Sequence, residues 1–275
     1  MKTLVLTKSH FKKSDDYCSD YIGSEDVANF DGHIEVEADL GWVRFVCMKV
    51  SCSGSLYVKA GSGIKAGWGI EAGEGIKAGW GIEAGEGIEA GWGIKAGEGI
   101  KAGSGIKAGW GIEAGEGIEA GEGIEAGWGI KAGWGIEAGS GIKAGSGIEA
   151  GSGIKAGWGI KAGSGIEAGE GIKAGWGIEA GWGIKAGWGI KAGSGIEAGE
   201  GIEAGEGIKA GSGIKAGWGI KAGLSIRCKV LKAQLQIFAG ICIWRKDNAE
   251  DRKIVCERLD ADPKQIRYGD LEVGK

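Results

Sequence analysis

The sequence predicts an all-β protein, a β-solenoid (β-helix) of tandem hexapeptides. Three observations predict it. Glycine makes up 62 of the 275 residues and proline only 1, a composition far from that of an ordinary globular domain. The unit G-x-G-I-[K/E]-A recurs 27 times with little variation. A period of six does not match the helical period of about 3.6 residues, so the isoleucines could not form one stripe along a helix.

Each hexapeptide is expected to supply one short strand and one corner. In an extended Ile-[K/E]-Ala triplet, alternate side chains face opposite ways, so Ile and Ala point inward and the charged residue points to solvent. Strict alternation through G-x-G would bring Glu into the core, so the alternation must break there. We therefore expect a corner at G-x-G, with the glycines taking up the positive φ that tight corners require.

Stacking explains which positions vary. One unit cannot bury its own Ile and Ala, whereas strands that pair with the next coil build a continuous core. Three-sided coils of 18 residues are favoured, because they place three Ile and three Ala in each layer. Two-sided coils of 12 residues are the alternative. In both cases the x and [K/E] positions face solvent, which leaves them free to vary.

The chain divides by composition into three segments. Residues 1–57 form an N-terminal cap with degenerate strands, residues 58–226 the hexapeptide solenoid, and residues 227–275 a C-terminal cap with strands. Solenoid ends expose strand edges and open core, so atypical caps are expected. Residues 247–259 predict one short helix, with Asp247 or Asn248 as its N-cap and Ile254, Val255 and Leu259 as its apolar stripe.

Charge and hydropathy limit the classes of partner. The net charge is −4, and the repeats mix Lys with Glu, which predicts no basic stripe and no nucleic-acid partner. The glycine-rich repeats lack the residues of a phosphate loop. The N-terminus lacks a secretory signal, and no apolar run reaches membrane-spanning length. We expect a cytoplasmic protein without membrane contact; a virion component would look the same.

Residues that carry chemistry are few. The only histidines, His10 and His33, show no metal-ligand spacing, and the six cysteines lie outside the repeats. Cys228 occupies a position where the repeat has Ala, which predicts a small buried thiol. The sequence therefore predicts no catalytic residue, no metal site and no cofactor, and a protein that is not an enzyme.

Tryptophan at position x is the strongest candidate for a binding feature. Exposed aromatic rings at corners could bind a partner, or they could lie flat over the flanking glycines and cover backbone. Eleven repeats carry one: Trp68, Trp80, Trp92, Trp110, Trp128, Trp134, Trp158, Trp176, Trp182, Trp188 and Trp218.

The repeat G-x-G-I-[K/E]-A resembles that of uncharacterised glycine-rich hexapeptide-repeat proteins of bacteria and their phages, over nearly the whole chain. The resemblance implies a β-solenoid and little about activity. We expect a non-enzymatic structural or protein-interaction solenoid rod, with a protein partner or self-association. The alternatives are a phage or mobile-element inhibitor of a host defence system, and an ice- or glycan-binding solenoid.

Overall fold

The computed structural model describes residues 1–241 and 248–274. The chain folds as a parallel β-solenoid with 18 residues per turn and three sheets, which confirms the predicted fold class and the three-sided coil. The residues divide into two compact units, Met1–Gly139 and Ser140–Lys275.

The first unit contains strands β1 to β20. In each of its three sheets, neighbouring strands within the repeats are three apart in chain order, as in β7-β10-β13-β16-β19. The strands are Lys2–Leu6, Phe11–Lys13, Cys18–Tyr21, Gly32–Val36, Gly41–Phe45, Val50–Cys52, Leu56–Val58, Ser62–Ala66, Ile70–Ala72, Ile76–Ala78, Ile82–Ala84, Ile88–Ala90, Ile94–Ala96, Ile100–Ala102, Ile106–Ala108, Ile112–Ala114, Ile118–Ala120, Ile124–Ala126, Ile130–Ala132 and Ile136–Ala138.

The second unit contains strands β21 to β41 in the same three-sided order, as in β23-β26-β29-β32-β35-β38-β41. The strands are Ile142–Ala144, Ile148–Ala150, Ile154–Ala156, Ile160–Ala162, Ile166–Ala168, Ile172–Ala174, Ile178–Ala180, Ile184–Ala186, Ile190–Ala192, Ile196–Ala198, Ile202–Ala204, Ile208–Ala210, Gly213–Ala216, Ile220–Ala222, Ile226–Arg227, Val230–Ala233, Ile237–Ala239, Lys253–Cys256, Arg258–Leu259, Ile266–Tyr268 and Asp270–Val273.

The core consists of isoleucine and alanine in register. Ile94 pairs with Ile112, and Ala96 with Ala114, one coil apart. The repeat isoleucines from Ile64 to Ile226 are at most 1% exposed. Burial of one such side chain contributes roughly 1.5–3 kcal/mol. The middle residue of each strand faces outward, as the alternation of the triplet predicts.

The corner glycines do not adopt the expected conformation. Residues 67–223, which the structure describes throughout, contain no glycine with positive φ. Glycine is needed there for a different reason, which is the close approach of successive coils. A Cβ built on Gly109 would lie well under 3.0 Å from the carbonyl oxygen of Gly91, a separation that real Cβ atoms essentially never show. The prediction of glycine was right, and the reason given for it was wrong.

The predicted C-terminal helix is also wrong. Asn248 does act as an N-cap, since its side chain accepts a hydrogen bond from the Glu250 N–H, but the helix is a single 3-10 turn, Ala249–Arg252; Asp247 lies outside the described residues. The strand Lys253–Cys256 follows, and Ile254 pairs with Ile226. The open sheet edge offers backbone hydrogen bonds that a helix over these residues would forgo. The other 3-10 helices are Lys8–His10 and Pro263–Gln265.

A candidate binding surface of stacked tryptophans

The corners of successive coils lie directly over one another. The backbone N–H of Trp110 donates to the carbonyl of Trp92 at 2.7 Å, and that of Trp128 to the carbonyl of Trp110 at 2.8 Å. The variable residue of one corner is thus held next to the residue 18 positions away, and not next to the residue six positions away. Each side of the coil therefore has its own column of corner side chains.

Five of the eleven predicted tryptophans are brought together by this register. In the first unit Trp92, Trp110 and Trp128 form a row, here called the tryptophan ladder. Its ring centroids are 6.1 Å and 6.4 Å apart, with interplanar angles of 19° and 25°. In the second unit Trp158 and Trp176 stack at 6.5 Å and 24°. These offset arrangements are among those that aromatic pairs prefer.

The ladder rings remain open to solvent. Trp92, Trp110 and Trp128 are 53%, 63% and 69% exposed. A tryptophan buries about 150–250 Å² when fully enclosed, so these fractions leave roughly 450 Å² of aromatic surface accessible. This is the size of the largest apolar patch on an ordinary monomer, which is often functional. The rings pack on one another along the ladder and keep more than half of their surface accessible.

The other six tryptophans are arranged differently. Within the described residues no aromatic ring stacks on five of them, which are also exposed: Trp68, Trp134, Trp182, Trp188 and Trp218. The sixth, Trp80, is half-buried, which corrects its prediction as an exposed corner. It packs edge-on against Trp42 at 6.4 Å, and the Lys65 ammonium lies 4.5 Å from the Trp42 ring. Trp42 belongs to the cap, and no repeat pattern pointed to it.

The outward Lys and Glu residues form ion pairs between coils. Lys95 Nζ lies 2.9 Å from Glu113 Oε1, and Lys161 Nζ lies 2.8 Å from Glu179 Oε1. All four side chains are more than half exposed, so each pair contributes at most about 1 kcal/mol. These pairs confirm the expected solvated face with cross-strand contacts.

One column of charges in the second unit contradicts the expectation of no basic stripe. Its register pairs are Lys155 with Lys173, Lys173 with Lys191, Lys191 with Lys209, and Lys209 with Arg227. These five residues are named the basic ladder. The sequence mixes Lys and Glu along the chain, but a three-sided coil distributes every third repeat to the same side. That distribution collects five cations in a row.

The histidines and cysteines of the described residues have structural contacts. His33 Nδ1 accepts a hydrogen bond from the Ser55 N–H at 2.9 Å, and His10 Nδ1 accepts one from the Thr7 N–H at 3.0 Å. Burial, with a smaller contribution from Cys256, raises the pKa of Cys228 from 9.0 to about 12. Cys228 is half-buried, whereas Cys47 is exposed. Cys242 lies outside the described residues.

No protein family, no curated protein and no solved structure matches this chain. None of the helices in the described residues is long and apolar enough to cross a membrane. Function must therefore be argued from the surfaces alone.

Proposed function

We propose that this chain is a non-enzymatic structural or protein-interaction solenoid, and that the tryptophan ladder is its main contact surface. The observation that carries the proposal is the stacking of Trp92, Trp110 and Trp128 on three successive coils with more than half of each ring exposed. Tryptophan is enriched in the energetic centres of protein interfaces, where charged residues are depleted.

The size of the ladder fits the centre of an interface. A stable complex buries about 800 Å² on each partner, and the ladder offers roughly half of that. The remainder would come from the flanking strands, whose outward Lys and Glu residues supply a polar rim. The aromatic rings would then act as the anchors, and the charges would contribute orientation and little affinity.

Self-association is the first form of the proposal to test. Sedimentation velocity over a range of concentrations compares the wild type with the triple variant Trp92→Ser, Trp110→Ser and Trp128→Ser. Serine occupies position x in other repeats, so the variant keeps the repeat pattern. We expect concentration-dependent association of the wild type and its loss in the variant.

The matched control removes three tryptophans that do not stack, by Trp182→Ser, Trp188→Ser and Trp218→Ser. Both triple variants lose the same number of rings, so only the ladder distinguishes them. Equal loss of association in both would show that tryptophan content matters and that the ladder does not. A wild type that is monomeric throughout removes self-association. A partner protein, including the host-defence target of a phage inhibitor, is then tested by co-purification from the native host with the same variants.

A second candidate is glycan binding, which the open stacked rings also favour. Sugars stack on exposed aromatic faces, and a row of rings at one-coil spacing would suit a linear polysaccharide. Quenching of tryptophan fluorescence by soluble oligosaccharides is expected in the wild type and the control, and not in the ladder variant. The absence of any such quenching removes this candidate.

A further inference from the structure

The basic ladder is uniform in charge and open to solvent. Adjacent strands are about 4.8 Å apart, so its five cations extend over about 19 Å. All five side chains are exposed. Among the residues that the structure describes, no carboxylate forms an ion pair with Lys173, Lys191 or Lys209. Arg227, at the end of the ladder, has Glu250 Oε2 at 3.7 Å from its Nη2.

The other two sides of the same unit carry mixed signs. On one side Glu167 pairs in register with Lys185, and Lys185 with Glu203. On the other, Lys161 pairs with Glu179, and Glu197 with Lys215. Like charges directly opposite one another destabilise a sheet. The basic ladder has four such contacts in succession and no relieving Glu, so a polyanion laid along it would relieve a repulsion that the other sides avoid.

The corner that follows the ladder adds aromatic and hydroxyl groups. Trp158 and Trp176 come three residues after Lys155 and Lys173, and their stacked rings are 68% and 70% exposed. Ser194 and Ser212 continue the same column, since the Ser194 N–H donates to the Trp176 carbonyl and the Ser212 N–H to the Ser194 carbonyl. Lys229 follows Ser212 in that column.

The corner that precedes the ladder is less favourable for an anion. Its column contains Glu170, Trp188 and Glu206, joined by backbone hydrogen bonds from the Trp188 N–H to the Glu170 carbonyl and from the Glu206 N–H to the Trp188 carbonyl. The two carboxylates would repel a polyanion. A ligand on the ladder is therefore expected to turn towards Trp158 and Trp176.

We propose that the basic ladder, together with Trp158 and Trp176, binds the sugar-phosphate backbone and unpaired bases of a single-stranded nucleic acid. A row of cations that follows the backbone, beside aromatic rings on which bases stack, is the combination that binds single strands without sequence preference. The expectation of no nucleic-acid partner rested on the mixed signs of the whole block, and the register separates those signs by side. An acidic polypeptide would use the cations but would have no need of the rings.

The test is fluorescence anisotropy of a labelled oligothymidylate of about 16 nucleotides, at several salt concentrations. Four phosphate contacts predict a slope of log K against log salt of about −3. The double variant Lys191→Glu with Glu167→Lys keeps composition and net charge and interrupts the ladder. We expect its affinity at low salt to fall at least about tenfold, with a shallower slope.

The matched control exchanges Lys185 and Glu167 by Lys185→Glu with Glu167→Lys, which leaves the ladder intact and should bind like the wild type. Trp158→Ser with Trp176→Ser should weaken binding without changing the salt slope. Absence of oligothymidylate binding at low salt, or equal binding by both charge exchanges, would overturn the proposal. So would tighter binding of a duplex of the same length, or polyglutamate binding as tight as that of oligothymidylate and unaffected by the Trp variants.

Discussion

The two glycines of each corner should differ sharply in their tolerance of a methyl group. In the corner Gly109-Trp110-Gly111, a Cβ on Gly109 would overlap the Gly91 carbonyl oxygen and lie 3.0 Å from its carbon. A Cβ on Gly111 would meet only the Gly129 carbonyl oxygen, at 3.4 Å. Gly109→Ala and Gly111→Ala add the same atom two residues apart, so each is the control for the other.

The size of the effect follows from the contacts that Gly109→Ala would strain. Relief of the overlap requires the corner to move away from the preceding coil. That movement stretches the hydrogen bonds from the Gly109 N–H to the Ala90 carbonyl, at 3.1 Å, and from the Trp110 N–H to the Trp92 carbonyl, at 2.7 Å. Two weakened backbone bonds and the strain of overpacking together predict a loss of about 2–5 kcal/mol. For Gly111→Ala we expect a change within about 1 kcal/mol in either direction.

Native-state hydrogen exchange is the suitable measurement, because stacked repeats open locally and a global transition would dilute the effect. The amide of Trp110 should lose protection in Gly109→Ala and keep it in Gly111→Ala. Urea midpoints followed by circular dichroism should show the same order. If the two variants lose equal protection, or Gly111→Ala loses more, then the close approach of coils is not the reason for the first glycine.

Three further predictions concern charge, thiol chemistry and repeat number. Glu113→Gln should lower the free energy of unfolding by less than about 1 kcal/mol, an effect that added salt should abolish in urea titrations, because its pair with Lys95 is exposed. Burial raises the Cys228 pKa to about 12, so the folded state disfavours the thiolate. The stability contribution is therefore complete below pH 9.0 and falls as pH rises towards 12; Cys228→Ala should flatten that fall in pH-dependent unfolding, and exposed Cys47 should react with iodoacetamide before Cys228 does. Deletion of residues 157–174, one full coil, should leave a soluble protein whose circular dichroism still shows β-structure; aggregation would contradict this.

The repeat made the fold predictable because each fixed residue has one physical role. Isoleucine and alanine two positions apart predict an inward face, and the charge between them predicts an outward one. The core from Ile64 to Ile226 follows this pattern throughout. The C-terminal cap was less predictable, because Lys253–Cys256 also has the spacing of a short helix. Its conformation is decided by pairing with the strand that contains Ile226, a tertiary effect.

The candidate surfaces were harder to predict than the fold. Which tryptophans stack depends on the number of residues in a coil, and the sequence left 12 and 18 open. With 12, Trp92 would lie beside Ser104; with 18 it lies beside Trp110. The same choice decides whether Lys173 faces Lys191 or Lys185, and therefore where the basic ladder lies. Trp42 was missed because it belongs to the cap, where no repeat marks an outward position.

The freedom of the variable positions is itself an argument about function. Since Trp, Ser and Glu at corners, and Lys and Glu on strands, all fit the same backbone, the fold places no constraint on their order. An order that groups Trp92, Trp110 and Trp128 on one corner column, and five cations on one side, is therefore not required for folding. The basic ladder is even unfavourable for stability, because its neighbours repel. Features that the fold neither requires nor benefits from are best explained by what binds to them, and the exchange variants test this directly, because they change the order of residues while they preserve composition.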